Sequence, residues 1–297
     1  MNLEYLKTFY ITVRCNSISK AAKLLHMSQP GVSIQVQALE KELDVNLLSR
    51  SNKGVKLTEE GQVVYDYAVS LLAIQDNIER QLGCIKNKQT EVVVSSCTTV
   101  GSYALPCSLY TFREKYPNVN ILLDITNSSS VIKKVIDGST RIGIIEGKPE
   151  SKGIMLTKVT SDNLKLVVSP KRFKKPEISI DEFLQVPLIT RETGSGTKAV
   201  IVEALEKAEA NIGNANIVME ISSPEAIKSA LIAGKGFSIL SKLAIKKELA
   251  TGTLKEVEIS GIDFKADYFL VHSPDYNLKG PEKDFAEFVK SKKRGFC

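Results

Sequence analysis

Residues Ala21–Leu43, AAKLLHMSQPGVSIQVQALEKEL, constrain the fold more than any other stretch of the chain. Helical spacing runs into His26-Met27-Ser28-Gln29-Pro30-Gly31, stops, and resumes at once. A single core helix has no use for that interruption, whereas two helices set at an angle need it. Upstream, Leu3, Leu6, Phe9, Tyr10 and Val13 recur at three- and four-residue steps, the face of a first helix. Asn16 and Ser17 break it, and Ser19 is the expected N-cap of a short second helix through Leu25. Ser28 caps a third helix, with Pro30 tolerated in the first turn because the N–H groups there lack partners anyway. Val32, Val36, Leu39 and Leu43 fall on one face of this helix; Gln29, Ser33, Ile34 and Gln37 fall on another. LLSRS and GVKLT, around Asn52-Lys53-Gly54, read as a two-stranded ribbon with a tight turn. Helix, turn, helix and basic ribbon make a winged helix-turn-helix, which turns the polar end of its third helix toward a major groove. A three-helix bundle with a hairpin and no DNA is the alternative.

From Thr58 to about Lys88 the residues Val64, Tyr67, Leu71, Ile74, Ile78 and Ile85 keep a 3-4 spacing that only Gln81 breaks. Such a stripe belongs to a long helix packed along a partner helix, or to one buried against its own chain. Beyond Glu91 strands alternate with helices: EVVVSS, a helical segment ending near Tyr116, VNILLDIT, a helix over Ser129–Asp137, and RIGIIEG. A second series has VPLIT, a helix over Thr197–Ala210, NIVMEIS, a helix over Pro224–Ala233, and FSILS; ADYFLVHS and a terminal helix follow. Alternation with short links implies parallel sheets flanked by helices, and two series imply two lobes.

Composition narrows the function classes. The 297 residues are 43% hydrophobic and 25% charged, with a net charge of +6, which suits two or three globular domains. No apolar run approaches the roughly 20 residues that span a bilayer, and MNLEYLKTFY lacks the apolar core of a signal peptide. A cytoplasmic protein without a membrane segment is expected. Five scattered cysteines and only two histidines fit reduced thiols better than a disulfide framework or a metal site.

The run NSISKAAKLLHMSQPGVSIQVQALEKELDVNLLSRSNKGVKLTEEG resembles the N-terminal domain of LysR-type transcriptional regulators almost position by position. Its A-A-x-x-L-H-x-S-Q-P-x-V-S-x-Q-V-x-x-L-E order and closing L-T-E-x-G carry the resemblance, and the layout extends it over the whole chain. V-G-S-Y-A-L-P, I-I-E-G, R-E-T-G-S-G-T and E-A-I-K-S-A-L further resemble the branch that regulates carbon fixation and cysteine and sulfite metabolism. The resemblance implies a DNA-binding domain over 1–58, a linker and dimerisation helix over 59–89, and an effector-binding domain over 90–297. That domain is expected to have two Rossmann-like α/β lobes, as in periplasmic binding proteins: lobe I about 90–162 plus 268–297, lobe II about 163–267. Crossovers are expected near Asp162–Val168 and Phe264–Leu270. Also implied are antiparallel pairing of linker helices through Val64, Tyr67, Leu71, Ile74 and Ile78, and a homodimer or homotetramer. The partners would be an interrupted palindromic operator in double-stranded DNA, RNA polymerase and a small metabolite, with no cofactor.

The expected DNA-reading set is Ser28, Gln29, Pro30, Ser33, Ile34, Gln37, Arg50 and Lys53. The Gln29 amide suits adenine N6 and N7, Pro30 and Ile34 suit thymine methyls, and Arg50 and Lys53 suit phosphates. Ile34 departs from the family, where a basic or polar residue is common. On the effector side, Ser96, Thr98 and Thr99 follow one strand and precede a helix, as do Arg191, Thr193, Ser195, Gly196 and Thr197 after another. Hydroxyls and N–H groups at helix N-termini favour an anion, and ligands of open parallel sheets sit at strand carboxyl ends. The alternative is that Thr99 and Ser195 cap their helices. Glu146, at the end of RIGIIEG, would bind a cationic group or pair with Arg191. No phosphate-loop spacing surrounds G-S-G-T-K, no histidine is placed to activate Ser195, and Cys97 and Cys107 do not resemble a peroxide switch. A ligand-responsive transcription factor is thus favoured over a solute-binding protein or a transferase, with a small anion as the ligand.

Overall fold

The computed structural model describes residues 1–51, 54–86, 90–149, 151–291 and 295–296. The chain divides into two compact units, Met1–Gly83 and Cys84–Cys297. Among the described residues no helix is long and apolar enough to cross a membrane.

The first unit comprises α1 (Leu3–Cys15), α2 (Ile18–Leu24), α3 (Gln29–Leu43), the antiparallel ribbon β1 (Leu48–Ser51) and β2 (Gly54–Leu57), and most of α4 (Glu59–Lys86), up to Gly83. The interruption between α2 and α3 has a clear cause. His26 takes the left-handed conformation at φ +55°, Met27 N donates to Ala22 O, and His26 N donates to Lys23 O, which closes the end of α2. Ser28 then accepts from Gly31 N at 3.1 Å and starts α3 in a new direction. The cap of α2 is Ser17, not Ser19: Ser17 is the extended residue and accepts from Lys20 N, so Ser19 already lies inside the helix. Leu6, Phe9, Val36, Leu39, Leu47 and Ala68 make the core.

Several residues of the family-like run hold this core rather than face outward. Glu40 Oε1 accepts from both Leu47 N and Leu48 N, pinning the entry to the ribbon to α3. Thr58 Oγ1 accepts from Gly61 N, and at Gly61 a Cβ would stand 2.0 Å from Leu47 O. Only glycine lets α4 begin so close to the ribbon.

The second unit is built on one continuous sheet with the order β4-β3-β5-β12-β6-β10-β8-β9. Its strands are β3 (Thr90–Cys97), β4 (Val119–Thr126), β5 (Ile142–Glu146), β6 (Met155–Val168), β7 (Glu177–Ile178), β8 (Leu188–Thr190), β9 (Ile217–Glu220), β10 (Phe237–Ser241), β11 (Lys255–Ile259) and β12 (Phe264–His272). Its helices are α5 (Thr98–Tyr103), α6 (Leu105–Lys115), α7 (Ser128–Ile136), α8 (Ile180–Gln185), α9 (Gly196–Lys207), α10 (Pro224–Ile232), α11 (Lys242–Ala250) and α12 (Gly280–Lys290). The segment expected to be one helix up to Tyr116 is two, divided at Ala104, where the next helix starts with Pro106 in its first turn.

Two parallel triads, β4-β3-β5 and β10-β8-β9, are joined by β12 and β6, which run antiparallel to one another, β12 also to β5 and β6 also to β10. Both strands pass from one core to the other. Leu164, Leu166, Phe264 and Ala266 belong to the core with Phe183 and Leu188, whereas Tyr268 and Leu270 pack with Val94, Phe112 and Phe285. Strand-helix alternation implied the two lobes; the strands that pass between them are β6 and β12. The alternation did not reveal that they are antiparallel. Cys15, Cys84 and Cys97 are free thiols, but Cys107 is disulfide-bonded, a departure from the expectation of reduced cysteines throughout.

Candidate functional site

At the start of α3, Ser28, Gln29 and Pro30 are exposed, as is Gln37, and Ile34 keeps 63% of its surface; Ser33 is half-buried. Val32, Val36 and Leu39 on the opposite face are buried, so this polar end is held outward by its own core. Arg50 pairs with Val55 in the ribbon, but its side chain, and Lys53 altogether, lie outside the described residues.

The stripe on α4 divides in two. Val64 and Leu71 turn toward the unit's own core, with Tyr65, whose ring stacks on Tyr10 at 5.5 Å. Tyr67 and Ile78 keep 69% and 56% of their surface, and Ile74 is intermediate. Of the five residues expected to face a partner helix, Val64 and Leu71 are thus partly engaged by the unit's own core. Val63, Leu82 and Ile85 extend the exposed apolar set.

In the second unit, strand ends and helix starts from both lobes converge on Glu146. Its carboxylate is 4% exposed, and Oε2 accepts from Thr99 Oγ1 at 3.0 Å and from Thr197 Oγ1 at 2.8 Å. Glu146 is the last residue of β5, Thr99 lies in the first turn of α5, and Thr197 in the first turn of α9. Ser128 Oγ donates to Glu146 O and accepts from Glu146 N, and Ser129 N donates to Gly194 O across the lobes. At Gly196 a Cβ would stand 2.2 Å from Glu146 O, so a side chain there would force the lobes apart. Burial raises the Glu146 pKa to about 7, against the hydrogen bonds from Thr197 and Thr99 and the charge of Arg191, with Asp162 adding to the rise.

Glu146 does not pair with Arg191. The guanidinium is 3% exposed and engages Glu192 through Nε at 2.9 Å and Nη2 at 3.1 Å, while Nη2 also reaches Thr98 Oγ1 at 3.4 Å. Glu192, its neighbour in sequence, offers the nearer carboxylate. Ser195 does cap α9, accepting from Lys198 N, whereas Thr99 caps nothing and gives its hydroxyl to Glu146. Ser96 is buried with its hydroxyl on Cys97 O, and Thr193 is exposed, its N–H directed to Glu220. The structure thus brings Thr98, Thr99, Glu146, Arg191, Ser195, Gly196 and Thr197 together across the lobes and leaves Ser96 and Thr193 at the margin. Cys97 is buried and its thiol pushed up to about 12, first by burial, which removes it from thiolate chemistry near neutrality.

Sequence reading missed Ser128, although it begins a helix just after a strand, much as Thr98 does. It also missed a second link between the lobes: Tyr103 Oη donates to Glu225 at 2.8 Å, beside Lys228, which is buried with Glu248. Beside Glu146 a cavity of about 550 Å³ is lined from one lobe by Ser128 and Ser129 and from the other by Thr193 and Ser195.

Comparison with known proteins places these features in one family. Residues 3–62 match the model of the bacterial regulatory helix-turn-helix protein, lysR family, and residues 86–294 match the LysR substrate binding domain. An HTH-type transcriptional regulator of Methanocaldococcus jannaschii is 31% identical over 97% of this chain and 98% of its own. A probable RuBisCO transcriptional regulator of Cyanidioschyzon merolae is 30% identical over 92% of both. The crystal structure of CbnR, a LysR family transcriptional regulator, superposes with a TM-score of 0.75 at 20% identity over 98% of each chain. On its two matched domains and its full-length relatives, the chain belongs to the LysR family of DNA-binding transcriptional regulators, with an effector-binding domain after its helix-turn-helix.

Proposed function

We propose that this regulator reads an interrupted palindromic operator as a homodimer or homotetramer and changes its DNA binding when a small anionic metabolite enters between the lobes. The observation that carries the DNA half is the outward, polar start of α3, braced by a buried apolar face. Gln29 would read adenine, Ser33 and Gln37 polar base edges or phosphates, and Pro30 and Ile34 thymine methyls, with Arg50 and Lys53 on phosphates. Support comes also from CbnR, whose structure with its target DNA has a TM-score of 0.72. Pairing of α4 would use Tyr67, Ile74 and Ile78 with Leu82 and Ile85, the apolar residues that the unit's own core leaves uncovered.

The observation that carries the effector half is the meeting of Thr99 and Thr197 on one oxygen, next to a buried Arg191. Hydroxyls from two lobes and a buried guanidinium form a cradle that a bound anion could bridge. A ligand touching both lobes favours one lobe arrangement, and it shifts DNA binding by its difference in affinity for the two. A relative offers a parallel: the Synechocystis CcmR regulatory domain, solved in complex with 2-PG, superposes with a TM-score of 0.61 over 68% of this chain. Calorimetry of the full chain against inorganic oxyanions and small organic acids, with Thr197→Val as control, tests the reading. The expected result is anion binding that the variant weakens about tenfold or more; binding of an uncharged apolar ligand, undiminished in Thr197→Val, would overturn it.

A further inference from the structure

Glu146 is an unusual residue to find in an anion cradle. Its Oε2 is already held by one hydroxyl from each lobe. Its Oε1 is equally buried and has no hydrogen-bond partner among the described residues. A buried carboxylate oxygen without a donor is costly, and native chains keep such atoms where a ligand or a proton completes them.

The groups around it limit where that proton can come from. Arg191, from the connection between β8 and α9, draws Glu146 toward the ionised form, and Asp162 of β6 opposes this. Tyr268 stands directly across from Glu146 on β12, and Cys97, at the end of β3, is close enough to feel its charge. Burial first and the Glu146 charge second push both of them up, Cys97 to about 12 and Tyr268 well above its ordinary value. Glu192 is engaged with Arg191, and Lys198 of α9 with Glu220. Near neutral pH the exchangeable proton of this cluster is therefore the one on Glu146 itself.

We propose that Oε1 of Glu146 shares one proton with the bound anion, so that Glu146 selects which effector the cleft accepts. The inference rests on the reading of the cleft as an anion site. An anion that brings its own O–H, such as hydrogen phosphate or a hydroxy acid, donates it to the ionised carboxylate. An anion with no such hydrogen, such as sulfate, binds only after Glu146 takes a proton from solvent and donates it through Oε1. In both cases the pair holds one proton, and two bare anions facing each other in a buried site are rejected. A site built around a buried polar atom discriminates strongly against a ligand that leaves that atom unpaired. The effector is accordingly an anion bearing a hydroxyl or an acidic proton.

The test compares sulfate with inorganic phosphate, and acetate with glycolate, by calorimetry on the full chain at pH 6 and pH 8. Sulfate affinity should fall about tenfold per pH unit above the point where Glu146 ionises, while hydrogen phosphate holds. Phosphate should thus lead sulfate by about tenfold or more at pH 8, and the gap should narrow at pH 6. If the phosphate pair behaves this way the effector carries a phosphate-like oxyanion; if the glycolate pair does, it is a hydroxy acid. In Glu146→Gln, which offers an N–H in place of the proton, the dependence of sulfate binding on pH should vanish and the preference at pH 8 collapse. Wild-type protein alone provides a second reading, in two buffers of different ionisation enthalpy at pH 8. Sulfate should bring uptake of about one proton and phosphate none, since only the bare anion leaves Glu146 to be protonated. Equal affinities at pH 8 without proton uptake would overturn this inference and leave the anion cleft standing. Failure of all four anions to bind, or binding that Thr197→Val leaves unchanged, would overturn both.

Discussion

The start of α3 and the cleft at Glu146 use the same device, a serine-capped helix N-terminus, in opposite surroundings. Ser28, Gln29 and Pro30 are exposed, and Ser28 is the one of them that caps the helix. Ser195, Gly196 and Thr197 are buried, and Thr197 is tied through Glu146 to the other lobe. The contrast teaches which residues can change binding without changing the fold. On the exposed helix the two are separable. In the cleft Thr99, Thr197 and Glu146, which would meet a ligand, also hold the lobes together.

The largest effect that could break this comparison is expected at Gly196. A methyl group there would stand 2.2 Å from Glu146 O and 2.6 Å from Ser128 Oγ, and the backbone carbonyl cannot give way. Gly196→Ala should cost about 3 kcal/mol or more in urea unfolding, at the upper end of overpacking penalties. A loss under about 1 kcal/mol would mean that the lobes separate easily and that the cleft is less rigid than its hydrogen bonds imply.

Next comes the pH dependence of Glu146. Its folded-state pKa is raised from the ordinary 4.5 to about 7, chiefly by burial. The folded chain thus keeps this proton to higher pH than the unfolded chain does. Stability contributed by the group is present below about pH 4.5, falls as pH rises, and levels off above about 7. Glu146→Gln removes this loss, so the variant should gain on the wild type by up to ~3 kcal/mol between pH 4 and pH 8. Denaturant melts at both pH values check it; a constant difference would show that the carboxylate ionises as it does in water.

Gln29→Ala is the counterpart on the exposed side. Loss of one bidentate base contact should cost about 1–3 kcal/mol of affinity for the specific site. Unfolding free energy should stay within about 0.5 kcal/mol of wild type, because the side chain is exposed. Gel-shift titration and a urea melt on the same preparation separate the two. A stability loss as large as the binding loss would erase the distinction drawn above. The apolar stripe can be divided in the same manner: Ile78→Glu should lower dimer mass in sedimentation with the fold intact, whereas Leu71→Glu should unfold the first unit.

How far these features were legible depended on the range of the interaction that fixes each one. The Ser28 cap, Pro30 in the first turn and the buried face of α3 are local, and the sequence displays them. Ser17 and Ser19 are both plausible caps two residues apart, and only the extended backbone at Ser17 decides between them. The apolar stripe of α4 was visible, but Leu71 and Ile78 look alike because a core and a partner helix both ask for apolar residues. The partner of Glu146 was out of reach: Thr99 and Thr197 lie 47 and 51 residues away in sequence, in different lobes. Lys228 was equally hidden, since Glu225 three residues before it reads as an ordinary surface pair and nothing nearby points to Glu248.

The smallest effect expected is also the one that isolates burial most cleanly. Ser28 Oγ accepts from Gly31 N at 3.1 Å in an exposed turn, and Ser195 Oγ accepts from Lys198 N at 3.4 Å in a part-buried one. Replacement of a serine cap by alanine typically costs about 1 kcal/mol. On geometry alone, the shorter bond at Ser28 should matter more. Burial reverses the order. Water can take the place of the Ser28 hydroxyl on Gly31 N, but not as readily that of Ser195, so Ser195→Ala leaves an N–H without a partner. Ser195→Ala should therefore be the costlier substitution by roughly 0.5–1 kcal/mol, and Ser28→Ala should stay near or below the usual cost of a lost cap. Denaturant unfolding of the two variants under identical conditions gives the answer. Equal losses, or a greater loss at Ser28, would show that solvent reaches the start of α9 and that the cleft is wetter than its buried residues suggest.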